Sequence, residues 1–201
     1  MSFLTKVMTI FSKANPTNTD VKPNGSTDTP RPNESPETDG SIDKDAQINL
    51  STLLSKNFPL YEFTNSSTAT RLGIDNTKPS KEVVARLTVL AKSLLQPLRN
   101  RIKKSVIITS GYRCLELNRS LGSKDSSQHV LGEAVDIYVP GYTALELARF
   151  ILTTGLEFDQ LILENYDGPG TGWVHISRKQ KDNRREVLTY DGSNYLVGLR
   201  P

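Results

Sequence analysis

The sequence has very few of the residues that cross-link a fold, because its 201 residues include one cysteine, Cys114. A single cysteine excludes an internal disulfide and a cysteine-rich metal site. Histidine and tryptophan are also scarce, with two copies and one copy. A metal site must therefore be built from histidine, aspartate and glutamate. No run of 18 apolar residues occurs, and we expect no membrane-spanning helix.

The N-terminal part is poor in apolar residues. Residues 14–45 contain no aromatic residue and hold five of the eleven prolines, so we predict a disordered linker over residues 14–47. Residues 1–13 have apolar side chains at helical spacing, which predicts a short amphipathic helix that contacts a membrane or a virion partner. A frayed chain end is the other interpretation. Lys6 interrupts this apolar run and no small-residue cleavage site follows, which argues against an export signal.

Residues 48–201 are predicted to form one folded domain. Residues 1–49 carry 5 basic and 7 acidic side chains, which leaves a net charge of +5 on the remainder against +3 for the whole chain. An excess of this size suits an anionic surface such as a cell wall or nucleic acid, but it does not choose between them.

Two segments have the apolar spacing of helices. One begins at Ser80, a predicted N-cap, and continues to Ile102, with a kink expected at Pro97. The other opens on a capping-box sequence at residues 143–146 and ends near Gly155. Short apolar runs predict strands at residues 106–108, 134–139, 159–164, 173–177, 186–190 and 195–199. Two main helices and several strands without βαβ regularity predict an α+β domain with a mostly antiparallel sheet.

A metal site is indicated by the two histidines and one aspartate. Strand alternation places Asp136 and His175 on the faces opposite to the apolar side chains of their own strands. If those strands are neighbours, His129 reaches both residues from the turn before the first strand, with Gly132 giving that turn freedom to bend. Two imidazoles and a carboxylate hold zinc with one coordination position open. Taken singly, each residue has an ordinary alternative as a surface histidine, a core histidine or an edge-strand aspartate.

Two motifs resemble the signature of the zinc D-Ala-D-Ala carboxypeptidase and L-Ala-D-Glu endopeptidase family: Ser127-x-His129-x-x-Gly132-x-Ala134-x-Asp136 and Trp173-x-His175. Members of that family cut the stem peptides of bacterial cell walls, and many are phage lysins. Residues 58–63, 72–76 and the Ser-Gly-Tyr-Arg segment at 110–113 fit the same pattern. The resemblance covers residues 58–177.

The resemblance implies His129, Asp136 and His175 as ligands of a zinc ion, Zn²⁺. It also implies that Arg113 binds a carbonyl or carboxylate of the substrate, for which a guanidinium fork is suited. Ser127 matches a fixed position of the motif on the substrate-binding side, where we expect it to shape the site rather than to perform chemistry.

The general base departs from the family pattern. Many members have an acidic residue three positions before the second histidine, where this chain has Gly172. We predict Glu164 as the base, because it ends an apolar strand and its carboxylate would then lie beside the zinc. Asp167 is interpreted as a turn residue and is the next candidate. Glu133 is expected to be exposed.

The sequence therefore predicts a zinc metallopeptidase that cuts peptidoglycan stem peptides at D-Ala-D-Ala or L-Ala-D-Glu bonds, as a phage-type cell-wall hydrolase. Phage lysis or virion association would bring it to the wall. The alternative is a weak or inactive cell-wall-binding or virion structural module of the same fold, which the missing acid at Gly172 leaves open. Nucleic-acid binding is not favoured, because no aromatic platform accompanies the basic residues 179–185.

Overall fold

Eight strands occur in the part of the chain that the computed structural model describes, residues 48–200. Two of them, β1 (Leu53–Ser55) and β2 (Phe58–Pro59), form a small antiparallel ribbon. The other six form one sheet: β3 (Ile107–Ser110), β4 (Ala134–Tyr138), β5 (Gln160–Glu164), β6 (Trp173–Ser177), β7 (Glu186–Tyr190) and β8 (Tyr195–Val197). Their order across the sheet is β3-β4-β6-β5-β7-β8, and each neighbouring pair is antiparallel except β5–β7, which is parallel.

Seven α-helices accompany these strands in residues 48–200: α1 (Leu60–Thr64), α2 (Ser67–Leu72), α3 (Lys81–Leu90), α4 (Gln96–Ile102), α5 (Leu115–Ser120), α6 (Gln128–Leu131) and α7 (Ala144–Thr153). A π-helical turn, Ala91–Leu95, joins α3 to α4, so that residues 81–102 form one continuous helical segment. This segment and α7 are the two main helices. The predicted α+β fold with a mostly antiparallel sheet is confirmed.

Both main helices begin at the residues that the sequence predicted. Ser80 Oγ accepts a hydrogen bond from Val83 N at the start of α3. Thr143 and Glu146 form a capping box at the start of α7. Pro97, where a kink is expected, is the second residue of α4, just after the π-helical turn. The wider turn accommodates proline, which has no N–H to donate and whose ring would press on the carbonyl four residues earlier.

The core lies between the helices and one face of the sheet. β4 contributes Val135 and Ile137 to this core, and β6 contributes Val174 and Ile176, all of them fully buried. Each such aliphatic side chain stabilises the fold by roughly 1.5–3 kcal/mol through burial. A slip of either strand by one residue would turn these side chains away from the core, so the register of both strands is strongly held.

The opposite face of the same strands carries the polar residues. Asp136 on β4 is paired directly with His175 on β6. On the next strand, β5, Ile162 is paired with His175. The expectation that the Asp136 and His175 strands are neighbours is therefore confirmed, and the apolar core on the other face is what holds them in register.

Two local details differ from the prediction. The aromatic residues of segment 58–63 are expected from the sequence to pack on the core, but Tyr61 is 51% exposed, whereas Phe58 and Phe63 are fully buried. Tyr61 lies in the five-residue helix α1 and points away from the core face of that helix. The last strand ends at Val197 rather than at residue 199, because its pairing with β7 stops there.

Residues 1–47 and residue 201 lie outside the described part of the chain, and so do the predicted helix 1–13 and the predicted linker 14–47. Within residues 48–200, no helix combines the length and the hydrophobicity needed to cross a bilayer.

Candidate metal centre

Three predicted ligands meet at one point on the polar face of the sheet. His129 Nε2 lies 3.1 Å from His175 Nδ1, and His175 Nδ1 lies 3.0 Å from Asp136 Oδ1. The third side of the triangle, from His129 Nε2 to Asp136 Oδ1, measures 3.3 Å. All three residues are buried. Their side chains form a group of the kind that can hold a metal ion.

His129 reaches the other two ligands from α6, a helix of one turn. Ser127 caps this helix, and its Oγ accepts a hydrogen bond from His129 N at 3.3 Å. Gly132 ends the helix with φ +74°, a backbone conformation that L side chains rarely adopt. A Cβ at this position would lie 2.8 Å from Val83 Cγ1 and 2.9 Å from Val83 O. The predicted bend at Gly132 thus also requires the absence of a side chain.

A backbone hydrogen bond orients the ring of His129. Its Nδ1 lies 2.7 Å from the carbonyl oxygen of Gly111. A carbonyl only accepts, so Nδ1 carries the proton, and burial lowers the pKa of His129 and favours the neutral ring. Nε2 then presents a lone pair to the centre of the triangle. Fixing the ring and its tautomer through the distal nitrogen is common among metal-binding histidines.

Asp136 gives the cluster a negative charge. Its burial opposes ionisation, but the neighbouring His129 and His175 outweigh that effect and hold the pKa of Asp136 well below its usual range. A carboxylate oxygen and two imidazole nitrogens lie within 3.3 Å of one another. A cation at their centre would attract all three atoms and offset the repulsion between them. A tetrahedral ion with bonds of about 2.0 Å needs ligand atoms about 3.3 Å apart, so the three residues fit a metal ion of zinc size.

Arg113 contacts the cluster directly through Asp136. Its Nη2 donates to Asp136 Oδ2 at 3.0 Å, and its Nε donates to Ser110 Oγ at 3.1 Å. The Arg113 and Asp136 side chains are 15% and 8% exposed, so this ion pair is largely shielded from solvent. Because the guanidinium holds Oδ2, it turns Oδ1 of Asp136 toward the two histidines.

Glu164 lies beside the cluster at the end of β5. Its Oε1 is 4.0 Å from His175 Nδ1, and its side chain is 19% exposed. Burial raises the pKa of Glu164, and the negative charge of Asp136 raises it further. The structure therefore brings together all six site residues that the sequence singled out: Arg113, Ser127, His129, Asp136, Glu164 and His175.

Gly172 occupies a position that has no room for an acid. It has φ +70°, and a Cβ there would lie 2.5 Å from Glu164 O and 2.9 Å from Tyr166 Cα. The close approach of this glycine lets the loop between β5 and β6 fold back onto the end of β5. This chain therefore lacks an acid at position 172, and the carboxylate near the cluster is that of Glu164 at the end of β5.

The two other acidic residues lie away from the ligands. Asp167 is exposed, and its N–H donates to Thr171 Oγ1 at 2.7 Å, as in a turn. The expectation of an exposed Glu133 is wrong. Its side chain is only 14% exposed, and its Oε1 lies 4.0 Å from Arg86 Nε. The ion pair with a helix distant in sequence covers it, and strand alternation does not reveal such a partner.

An open cleft of about 930 Å³ gives access to the cluster. Its walls include both histidines together with Arg113, Ser127 and Glu164. A smaller cavity of about 480 Å³ lies between α7 and the loop at residues 170–173, and none of the predicted site residues lines it. The larger cleft is therefore where a substrate can reach the ligands.

One polar residue near the site was missed from the sequence. Asp159 is fully buried, and its carboxylate binds Arg184, Lys179 at 3.0 Å and Gln128 Nε2 at 3.0 Å. Gln128 directly precedes His129, so this cluster ties α6 to β5. The sequence signal for this cluster is the basic run 179–185, which includes Lys179 and Arg184.

The family model described as Peptidase M15 matches residues 56–177, a range that contains all six site residues named above. In the comparison with curated proteins, no match was found.

Proposed function

The chain belongs to the peptidase M15 family, and we propose that it hydrolyses peptide bonds in the stem peptides of bacterial peptidoglycan with a zinc ion held by His129, Asp136 and His175. One observation carries this proposal. Three candidate ligand atoms lie within 3.3 Å of one another, and two of the residues that carry them, His129 and His175, line the same open cleft as Glu164. A peptidase needs both elements at one place.

The donor set suits zinc. Two imidazole nitrogens and one carboxylate oxygen match the ligands of catalytic zinc sites, which leave a fourth position for water. Bound there, zinc would supply a Lewis acid for the scissile carbonyl and lower the pKa of water to about 7. The buried positions of the three ligands keep bulk water from competing with them.

Glu164 is the proposed general base. Its carboxylate accepts a proton from a water molecule in the cleft and returns it to the leaving amine. A raised pKa suits both steps, since a carboxylate of ordinary acidity returns a proton less readily near neutral pH. Its 4.0 Å separation from His175 Nδ1 keeps Glu164 beside the ligands without joining them.

Arg113 has a double task in this proposal. Two of its donor groups hold Ser110 and Asp136. A guanidinium has five N–H donors, so the others can bind a carbonyl or carboxylate oxygen of a substrate in the cleft that Arg113 lines. Ser127 shapes the same wall by capping the helix that carries His129.

The stem peptide of peptidoglycan agrees with the charge of the cleft. Such peptides bear several carboxylates, and Arg113 and Lys124 line the cleft. Both D-Ala-D-Ala and L-Ala-D-Glu bonds remain in the proposal. We also propose that phage lysis, or association with a virion, brings the protein to the wall. Secretion of the native chain by intact host cells would contradict both routes.

Digestion of purified peptidoglycan by the full chain tests the function. Mass analysis of the released fragments identifies the bond through its new termini, and elemental analysis is expected to find one zinc per chain. A chelator should stop the reaction, and added zinc should restore it. A metal-free preparation with full activity would overturn the zinc proposal.

A binding module of the same fold remains the competing function, because Gly172 replaces the usual acid. The two functions differ in one measurement. The peptidase releases new termini from the wall, and the binding module sediments with the wall and releases none. Binding without release by the zinc-loaded wild type would establish the module.

A further inference from the structure

The sheet continues past the metal centre on strands that lie outside the matched residues 56–177. From His175, the strand pairing leads through Ile162 on β5 and Leu188 on β7 to Val197 on β8. β8 is three strand spacings from β6, roughly 14 Å, or about four residues of extended peptide. A substrate bound at the metal centre therefore reaches the hairpin of β7 and β8.

Two tyrosines stand on this hairpin at the wall of the same cleft. Tyr190 is paired with Glu164 on one side and with Tyr195 on the other. The two rings have centroids 4.6 Å apart and an interplanar angle of 32°. Tyr190 is anchored because its hydroxyl donates to Gly192 O at 2.8 Å. Tyr195 is 59% exposed and offers the outer ring.

The hydroxyl of Tyr195 remains a hydrogen-bond donor at neutral pH. Partial burial raises the pKa of this tyrosine, and the nearby charge of Glu164 raises it further. A flat ring with a protonated hydroxyl is a large apolar surface with one polar group. The 59% exposure of Tyr195 contrasts with the core rings of Phe58 and Phe63, which are fully buried.

The charges of the cleft differ between its two ends. Arg113, which follows β3, lines the cleft together with Lys124. Arg184 also lines the cleft, but it precedes β7 at the end opposite to Tyr190, and its guanidinium already binds Asp159 and, at 3.1 Å, Glu186. The carboxylate of Glu164 is paired with Tyr190, and its negative charge disfavours an anionic group at the tyrosines. A ligand with carboxylates is therefore favoured at the Arg113 end, and a neutral ligand is favoured at the hairpin.

Peptidoglycan contains both kinds of group in one molecule. Its stem peptide carries the carboxylates, and the N-acetylated sugars to which that peptide is joined are neutral rings. One face of such a ring is lined with C–H groups, which pack on the negative face of an aromatic ring while the hydroxyl groups around the rim form hydrogen bonds. Neutral sugars are thus the part of the substrate that matches the hairpin.

We infer that Tyr190 and Tyr195 form a saccharide-binding platform that holds the sugar joined to the stem peptide and thereby positions the peptide at the metal centre. The inference rests on the proposed function. The stem peptide then runs from the hairpin toward Arg113, and substrates that retain their sugar are cut more efficiently than free peptides.

Two soluble substrates test this platform: a disaccharide-linked stem peptide and the same peptide without sugar. With Tyr195→Ala, we expect kcat/KM to fall about tenfold on the disaccharide-linked peptide and to stay unchanged on the free peptide. Tyr195→Phe keeps the ring and should retain most of the activity. Tyr61→Ala is the matched control, because Tyr61 is similarly exposed but lies outside the cleft.

The outcomes separate the platform from the proposed function. An equal loss on both substrates, or no loss on either, would overturn the platform. If the wild type cuts neither substrate, the proposed function fails. Calorimetric measurement of substrate binding then tests the platform independently of hydrolysis. In that case Tyr195→Ala must still weaken binding of the disaccharide-linked peptide about tenfold. Tyr195→Gln repeats each measurement if the alanine variant unfolds early.

Discussion

Two buried aspartates lie near α6, and they differ in what surrounds them. Asp159 is bound by Arg184, Lys179 and Gln128, all of which donate hydrogen bonds or bring positive charge. Asp136 is bound by one cation, Arg113, and its other oxygen faces two imidazole nitrogens. The first cluster is satisfied by the protein alone. The second would be completed by the proposed zinc ion, and this difference, more than burial, is what sets a candidate metal centre apart from a structural ion pair.

The largest effect is expected from Asp136→Asn, which removes the charge of the second cluster and keeps its volume. Hydrolysis should fall at least about a thousandfold, because metal chemistry contributes several kcal/mol. Elemental analysis should show loss of zinc while circular dichroism shows an intact fold. Full zinc content in this variant would contradict the assignment of Asp136 as a ligand.

Glu164→Gln tests the base without disturbing the ligands. We expect turnover to fall about a hundredfold, since a general base contributes at least that factor. Zinc content should remain one per chain, because Glu164 stands outside the triangle of ligand atoms. Asp167→Asn is the control and should keep full activity. If the control loses activity and Glu164→Gln does not, Asp167 is the base.

Asp159→Asn breaks the satisfied cluster and should act on stability instead of chemistry. Removing one partner of a buried ion pair costs about 3 kcal/mol of unfolding free energy. Denaturant unfolding measures this loss. The activity of the folded fraction should stay near that of the wild type, and a selective loss of zinc at full stability would erase the contrast between the two clusters.

The same cluster predicts a dependence of stability on pH. Burial opposes ionisation of Asp159, but hydrogen bonds from Arg184 and Lys179 outweigh it and hold the pKa below the ordinary 3.8. A lowered folded-state pKa stabilises the fold fully above the unfolded-state value and progressively less as the pH falls below it. The midpoint temperature of thermal unfolding of the wild type should fall below about pH 4. Asp159→Asn should make the midpoint temperature less dependent on pH in that range.

The smallest effect is expected from Gln128→Ala, which cuts the link between the two clusters. Gln128 bonds to Asp159 and directly precedes His129. We expect zinc affinity to fall about tenfold, as when other supporting contacts of a metal ligand are removed. Competition with a chelator measures this. Gln160→Ala, which removes a bond to Glu186 instead, should leave the affinity unchanged.

Local patterns predicted what each segment does by itself, and they failed where distant segments meet. Alternation placed Asp136 and His175 on the polar faces of their strands, and Ser80 and Thr143 began their helices, because those features depend on neighbours in sequence. The cations around Asp159 and the arrival of Tyr195 at the cleft depend on strand order, and the contact of Glu133 with Arg86 depends on how α3 packs against the sheet. Strand order is decided by packing between segments, and the hydrophobic periodicity of a single segment does not predict it.

The position of β6 in the sheet has a consequence for synthesis of the protein. β6 is made after β4 and β5, yet it lies between them and carries His175. A nascent chain that stops before residue 173 lacks both the last ligand and the strand that joins its neighbours. Assembly of the ligands therefore requires long-range pairing late in folding. A chain that ends before residue 173 therefore cannot assemble the three-residue cluster, and the proposed activity would arise only after β6 has been made.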